Sequence, residues 1–464
     1  MKKVILTGVA LMAFAAAGFA QSNQATVNQV GEQQTAAPTQ TGNSQVVNIS
    51  QNEGGSENYG NRAVTVQNAS GGTNTITVSQ DNGSKANRAG VTQQNGTDNT
   101  ATVSQSNNSG GNANVVADDN AAASGDGNFM GILQDGSSND ATVNQNANSV
   151  RNQATVFQYG VGTGNGATVN QNNGSTANIA TVNQGASGAT VSDNVATINQ
   201  SNNSTENEAS ITQLTSGAEA TINQIDNSGG AGIGNEASIS QASGASGAAT
   251  INQTNISYNN LAAVQQSTGG HTATINQTTN SHDNQAFVNQ FGAGSDQATI
   301  DQVYETANNT ATINQEATLS GINTAKITQQ SAYNDGNGGN QATINQRNGS
   351  GNTAEIVQGK VGEAIGGDIA SGNVATLTQD GSSNTAKLYQ AGDLHEATIT
   401  QTGNGNVVQG TGENSTDPTF ATQLGVDNTL TISQTNNGAA NTASVYQNGT
   451  GNTATITQTG VPNP

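Results

Sequence analysis

The chain has 464 residues, of which 31% are hydrophobic, 3% aromatic and 9% charged, with neither Trp nor Cys. Globular domains carry roughly 45–50% apolar and 25% charged residues, so the composition argues against a conventional side-chain-packed core, and the missing Cys rules out disulfides and thiolate metal sites. The net charge of −21, from 31 acidic and 10 basic residues, argues against binding nucleic acid through phosphates, which needs clustered Lys and Arg.

In chain order, Lys2 and Lys3 precede the apolar run Val4–Phe19, and Gly18-Phe19-Ala20 offers small residues to a signal peptidase. The pattern predicts a signal peptide over 1–20, cut between Ala20 and Gln21, so that the mature chain leaves the cytoplasm. No later apolar run is long enough to span a bilayer. Residues 21–42 form an N-terminal segment, in which Asn23–Gln29 already matches the unit described next while Val30–Gly42 breaks it. Repeats then fill 43–409, an irregular insertion with Pro418 occupies 410–425, repeats resume over 426–458, and 459–464 is a tail.

The unit is N-x-A-x-[VIL]-x-Q, found about twenty times in strict form at a period near 13 residues that elsewhere contracts to about 11. Asn139-Asp-Ala141-Thr-Val143-Asn-Gln145 is followed by Asn152-Gln-Ala154-Thr-Val156-Phe-Gln158, by Asn165 to Gln171 and by Asn178 to Gln184. Late copies run from Asn340 to Gln346, Asn384 to Gln390, Asn441 to Gln447 and Asn452 to Gln458. The fixed residues fall at every second position, the strand period, which puts them on one face. Gly, Asn, Ser and Asp between units are turn residues.

One such strand buries only a few kcal/mol of apolar surface, while ordering about 12 residues costs more than about 10 kcal/mol. Copies must therefore stack. The expectation is an all-β, elongated β-solenoid with two short strands per rung, in-register Asn and Gln ladders, and about fifteen rungs. An unpaired buried amide costs roughly 1–3 kcal/mol, and stacking satisfies each amide from the copies above and below. The end rungs leave open edges suited to polymerisation.

Four stretches break the rhythm and read as edge loops: Val30–Gly42, Ala117–Gly127, Gly359–Gly372 and Gly410–Gly425. Asp118, Asp119 and Asp126 read as solvated loop charge rather than a calcium site. His271 and His395 take the Asn position of loose units and read as Asn substitutes; His282 has no Cys partner. No triad, P-loop or dinucleotide fingerprint is present, so no catalytic, cofactor-binding or metal residue is assigned and no enzyme activity is expected. Outward rows such as Thr142/Asn144, Thr168/Asn170, Thr181/Asn183 and Thr197/Asn199 raise an alternative, an ice-binding or monomeric adhesin solenoid. Phe157, Lys326, Glu355 and Lys387 interrupt those rows.

The order of Gln, Asn, Ala and Gln in Gln145 to Gln158, and the glycines of Gln390-Ala-Gly392 and Gln447-Asn-Gly449-Thr-Gly451-Asn452, resemble the curlin repeat of curli fibre subunits, over roughly 43–458. That resemblance implies export through the periplasm and an outer-membrane channel, possession of a nucleator partner, and homopolymerisation into cell-surface amyloid serving biofilm matrix, surface adhesion and cell aggregation. It implies that the inward Asn and Gln drive assembly, and makes Val30–Gly42 the candidate export segment.

Overall fold

The computed structural model describes residues 22–460 apart from 32–33, 53–59, 70–71, 82–86, 107–127, 161–163, 187–189, 227, 229–233, 304–305, 319–320, 331–338, 360–370, 412–416 and 437. The predicted signal peptide with its Ala20/Gln21 junction, the Asp118–Asp126 cluster and most of Gly359–Gly372 lie outside the described residues. The chain divides into two compact units, 1–203 and 204–464. Each is a β-solenoid, and among the described residues neither contains a helix.

In the first unit, successive strands alternate between two parallel sheets, so that each tier is one strand of each sheet joined by a turn. Six complete tiers run from Gln24–Val30 with Thr35–Gly42 to Gly166–Asn170 with Ile179–Gln184. The second unit repeats the plan through nine complete tiers, from Glu219–Ile225 with Glu236–Ala245 to the tier that ends in Thr453–Thr459. Val195–Ser201 closes the first unit and Glu208–Gln213 opens the second, so the number of tiers is close to the expected about fifteen rungs.

Register follows the sequence pattern. Gly166–Asn170 lies between Asp140–Asn144 and Val195–Ser201, with Ala167 opposite Ala141 and Ala196, and Val169 opposite Val143 and Ile198. A one-residue slip would turn every Ala and Val to solvent and every Thr inward. The core is therefore a column of Ala beside a column of Val, Ile or Leu, as with Ala154, Val156, Ala311 and Ile313, all fully buried. Each buried Val or Ile contributes about 1.5–3 kcal/mol, and the core grows by one layer per tier.

Two stretches read as irregular contain strands. Thr35–Gly42 pairs in register with Arg62–Ala69, with Pro38 opposite Thr65 and Gln40 opposite Gln67. Pro38 concealed this copy of the unit by standing where Val is usual. Alternate backbone N–H groups point to opposite neighbours. Thr35 donates to the Asn61 carbonyl of the next tier, so Pro38 turns its nitrogen to the other side, where no strand is described and no bond is lost. Likewise Ala421–Val426 is a strand, with Ala421 opposite Leu388 and Gln423 opposite Gln390. Val407–Gln409 supplies the first half of that tier, Val408 opposite Ala386. The insertion is thus confined to 410–420 and is spliced into the middle of one strand.

Turns stack as closely as strands. Gly392, Gly425 and Gly449 follow one another in register with φ of 106°, 99° and 118°. A Cβ on Gly425 would lie 2.2 Å from the Gly449 carbonyl oxygen, and one on Gly392 1.9 Å from that of Gly425. Gly425→Ala combines this backbone clash with a φ that L residues avoid, and should lower stability by about 1–3 kcal/mol or more. Urea unfolding of the soluble chain followed by circular dichroism measures the loss; an unchanged midpoint contradicts the tier spacing at this corner.

Candidate assembly site

The Gln that ends each unit sits at the corner where the strand enters the turn, and its amide does two things. Gln145 Nε2 donates to Gln171 Oε1 in the next tier at 2.6 Å and to the main-chain carbonyl of Asn152 at 3.2 Å. The first bond joins tiers, and the second joins the two strands of one tier. The same ladder runs Gln105→Gln145→Gln171→Gln200 in one sheet and Gln134→Gln158→Gln184 in the other, at 2.6–3.1 Å. In the second unit it runs Gln315→Gln346→Gln379 and Gln358→Gln390→Gln423→Gln447, at 2.8–3.0 Å. Each of these links donates toward the higher-numbered tier, so the ladder has a direction.

The Asn columns are equally in register but are bonded differently. The Oδ1 of Asn152 accepts the main-chain N–H of Asn178 at 2.9 Å, and its Nδ2 donates to the Ser175 carbonyl at 3.1 Å. Asn139 N–H reaches Asn99 Oδ1, Asn340 N–H reaches Asn309 Oδ1, and Asn384 N–H reaches Asn352 Oδ1. This N–H belongs to the residue just before the strand, so no ladder carbonyl faces it. The Asn oxygen one tier away supplies the missing acceptor. Direct amide-to-amide bonds accompany this in places, as from Asn165 Nδ2 to Asn139 Oδ1 at 3.0 Å and from Asn452 to Asn428 at 2.9 Å.

Among the inward residues, Asn139, Ala141, Val143, Gln145, Asn152, Ala154, Val156, Gln158, Asn165, Gln171, Asn178, Gln184, Asn340, Gln346, Asn384 and Gln390 are buried. Toward the final tier, Gln447 is 7% exposed, Asn441 and Gln458 are half-buried and Asn452 is exposed. Gln434 still donates to Gln458 at 2.7 Å.

The histidines show that the columns select for hydrogen-bonding pattern. His271 and His395 are buried in Asn columns. His395 Nδ1 accepts the Asn428 N–H at 3.2 Å, as an Asn Oδ1 would, and its Nε2 faces the Ala391 carbonyl at 3.1 Å, as an Asn Nδ2 would. His271 does the same with the Asp296 N–H and the Gly292 carbonyl, both at 3.2 Å. His282 instead stands in a turn, stacked on Tyr258 at 4.9 Å. Asp296 occupies the tier after His271. Its Oδ1 accepts the Asn323 N–H at 2.9 Å, while its Oδ2 is buried without a hydrogen bond, 3.7 Å from His271 Nδ1. Burial raises the Asp296 pKa above 3.8, against the lowering effect of the Asn323 bond and of His271.

A further ladder escaped the sequence reading. The half-buried outward Asn residues bond along the axis: Asn144→Asn170→Asn199, Asn252→Asn276→Asp301 and Asn289→Asn314→Asn345, at 2.7–2.9 Å. The recurrent T-V-N-Q and T-I-N-Q spelling was the available signal. Outward Thr142, Thr168 and Thr197 stand in one row; Thr181 and Asn183 stand on the other sheet, where Phe157 lies opposite Asn183 and interrupts the outward Asn row. In the second unit Thr299 is followed by Lys326, Glu355 and Lys387, and Lys387 pairs with Glu355 at 3.1 Å.

Fold and columns define a class, the repeat solenoid whose parallel tiers are locked by buried amides. A family model described as curlin associated repeat matches residues 370–403, 381–409 and 425–460, all in the second unit. At these places the chain carries curlin associated repeats. No match was found among curated proteins.

Two substitutions test the column chemistry. The folded chain favours protonated Asp296, so the carboxyl weakens the fold increasingly as pH rises above 3.8. Asp296→Asn should raise stability at neutral pH by about 1–3 kcal/mol, with the gain vanishing below that pH. Burial holds the His395 pKa below 6.5, against the raising effect of the Ala391 carbonyl. Stability from His395 is therefore complete above 6.5 and lost as pH falls beneath it, and His395→Asn should flatten that fall. Urea midpoints across pH read both; a pH-independent difference from wild type contradicts the assignment.

Proposed function

We propose that the chain is the structural subunit of an extracellular curli-type amyloid fibre, in which edges of successive copies pair as tiers pair within each unit. The observation that carries this reading is the directed Gln ladder ending in tiers that pair on one side. Among the described residues, Gln24–Val30 pairs only with Val46–Asn52, and Thr453–Thr459 only with Thr429–Thr435. Gln29 and Gln40 donate inward to Gln51 and Gln67, which leaves their carbonyl oxygens toward the first edge. Gln458 brings an amide to the last. Acceptor edge and donor edge are complementary, so a second copy extends the ladder without a change of register.

The curlin associated repeats support secretion, cell-surface location, and a matrix or adhesive role with a nucleator and an export channel as partners. The sequence pattern supports cleavage at Ala20/Gln21, and the inward Asn and Gln are the residues assigned to assembly.

Gln21–Pro464 diluted from denaturant should form fibres with a meridional reflection at about 4.7–4.8 Å, after a lag that preformed seeds abolish. Replacing Gln145, Gln158 and Gln171 by Ala should slow elongation more than replacing outward Thr142, Thr155 and Thr168. A monomer that stays soluble when concentrated and seeded overturns the reading and favours a solitary solenoid.

A further inference from the structure

The first edge of the first unit carries an irregularity that the interior tiers lack. Among the described strands Pro38 is the sole proline, in a chain of 464 residues with four. It stands in Thr35–Gly42, whose one described neighbour is Arg62–Ala69. Thr35 donates to the Asn61 carbonyl, so Thr35, Ala37 and Thr39 face that neighbour, while Ala36, Pro38 and Gln40 face the open side. In an interior strand a proline would remove a bond between tiers. Here the missing N–H costs the folded chain no bond, and its effect falls on whatever approaches the edge.

The approaching group is the last tier of a second copy, so the inference rests on the polymer proposed above. Placing Gln458 of one copy over Gln40 of the next sets Thr453 over Thr35, Thr455 over Ala37 and Ile456 over Pro38. Thr429 donates to the Asn452 carbonyl, so Ala454, Ile456 and Gln458 face their own chain and Thr453, Thr455 and Thr457 face the open side. In a parallel pair the carbonyl of a residue takes the N–H of the residue after its partner. The Thr453 and Thr457 carbonyls therefore meet the N–H groups of Ala36 and Gln40, whereas the Thr455 carbonyl meets the Pro38 ring and finds no donor. In the other sheet Gln24 donates to the Gln45 carbonyl, so Ala25, Val27 and Gln29 offer all three of their N–H groups to the tier that carries Gln447.

The side-chain column agrees. From the edge inward it reads Pro38, Thr65, Val91, Ile132 and Val156. Thr65 is buried, and its Oγ1 has no hydrogen bond. The two members that interrupt the apolar seam stand at the edge, where terminal repeats depart from the consensus.

We propose that Pro38 is an assembly gate: one half of the first edge, at Gln24–Val30, receives the last tier of another copy, and the other half, at Thr35–Gly42, resists it. The junction between copies is then the weakest plane of the fibre, although the ladders continue through it. A solenoid whose edge lay open in both sheets would pair with any copy that had folded.

The experiment measures the critical concentration, the soluble full chain left at equilibrium with seeded fibres. Pro38→Val and Pro38→Ala each restore an N–H at the edge, and each should lower that concentration about tenfold, the effect of one hydrogen bond regained by an otherwise unsatisfied carbonyl. Val27→Pro, the matching position in the other sheet, should raise it at least tenfold while the urea midpoint of the soluble chain stays at the wild-type value, because the Val27 N–H bonds nothing within the chain. Fibres from wild type whose critical concentration is unchanged in both Pro38 variants overturn the gate and leave the polymer standing. A fall with valine but not with alanine assigns the effect to side-chain packing and also overturns it. Polymerisation by the Pro38 variants alone supports the gate in its strongest form; no polymerisation by any of these chains overturns the polymer and the gate together.

Discussion

A primary amide buried in an apolar stack has two donors and an acceptor that must all be met, and this structure meets them by repetition. The Gln at the end of each interior unit is shut away from water. Its partners are the next Gln along the axis and the Asn carbonyl across the tier, as Gln145 shows with Gln171 and Asn152. Both bonds hold only if tiers are parallel, in register and evenly spaced. An apolar seam of Ala and Val would tolerate sliding by two residues; the amides do not. Loss of one amide leaves partners in neighbouring tiers unsatisfied, which is the condition that makes buried polar groups specify a structure.

The Asn columns perform a different task with the same functional group. They supply acceptors to main-chain N–H groups at the corners, where the strand ladder has not begun. The substitutions in the two Asn columns of the second unit, His271 and Asp296 in one and His395 in the other, follow from that task. His271 and His395 present an acceptor and a donor in the positions of Oδ1 and Nδ2. Asp296 supplies the acceptor but no donor, which leaves Oδ2 without a bond. The column is read by hydrogen-bond role, and the residue that loses half the role is the one whose ionisation burial opposes.

Because each of these Gln links donates toward the higher-numbered tier, the stack within each unit has chemically distinct edges. The same stack tolerates length variation between its corners. The chain leaves one tier after Gln409 and rejoins it at Ala421, with its neighbours still in register. Closing such a loop costs little more than closing a short one, and the ladders on either side hold the tier in place.

The sequence by itself determined the strand period, the inward face, the two-strand tier and the Gln ladder, because all of these are local consequences of a pattern repeated at fixed spacing. It also placed His271 and His395 in Asn positions. It did not disclose the strand at Thr35–Gly42, since Pro38 breaks the pattern and is tolerated only on a strand paired on one side. It did not disclose the strand at Ala421–Val426, whose unit is split by an insertion. Nor did it show how Asn differs from Gln, or that outward Asn residues bond to one another, because the direction of a side-chain bond depends on which backbone groups lie one tier away. The side to which Pro38 turns its nitrogen is likewise invisible in the repeat. Only the pairing of tiers settles which backbone groups face an open edge, and no periodicity along the chain encodes it.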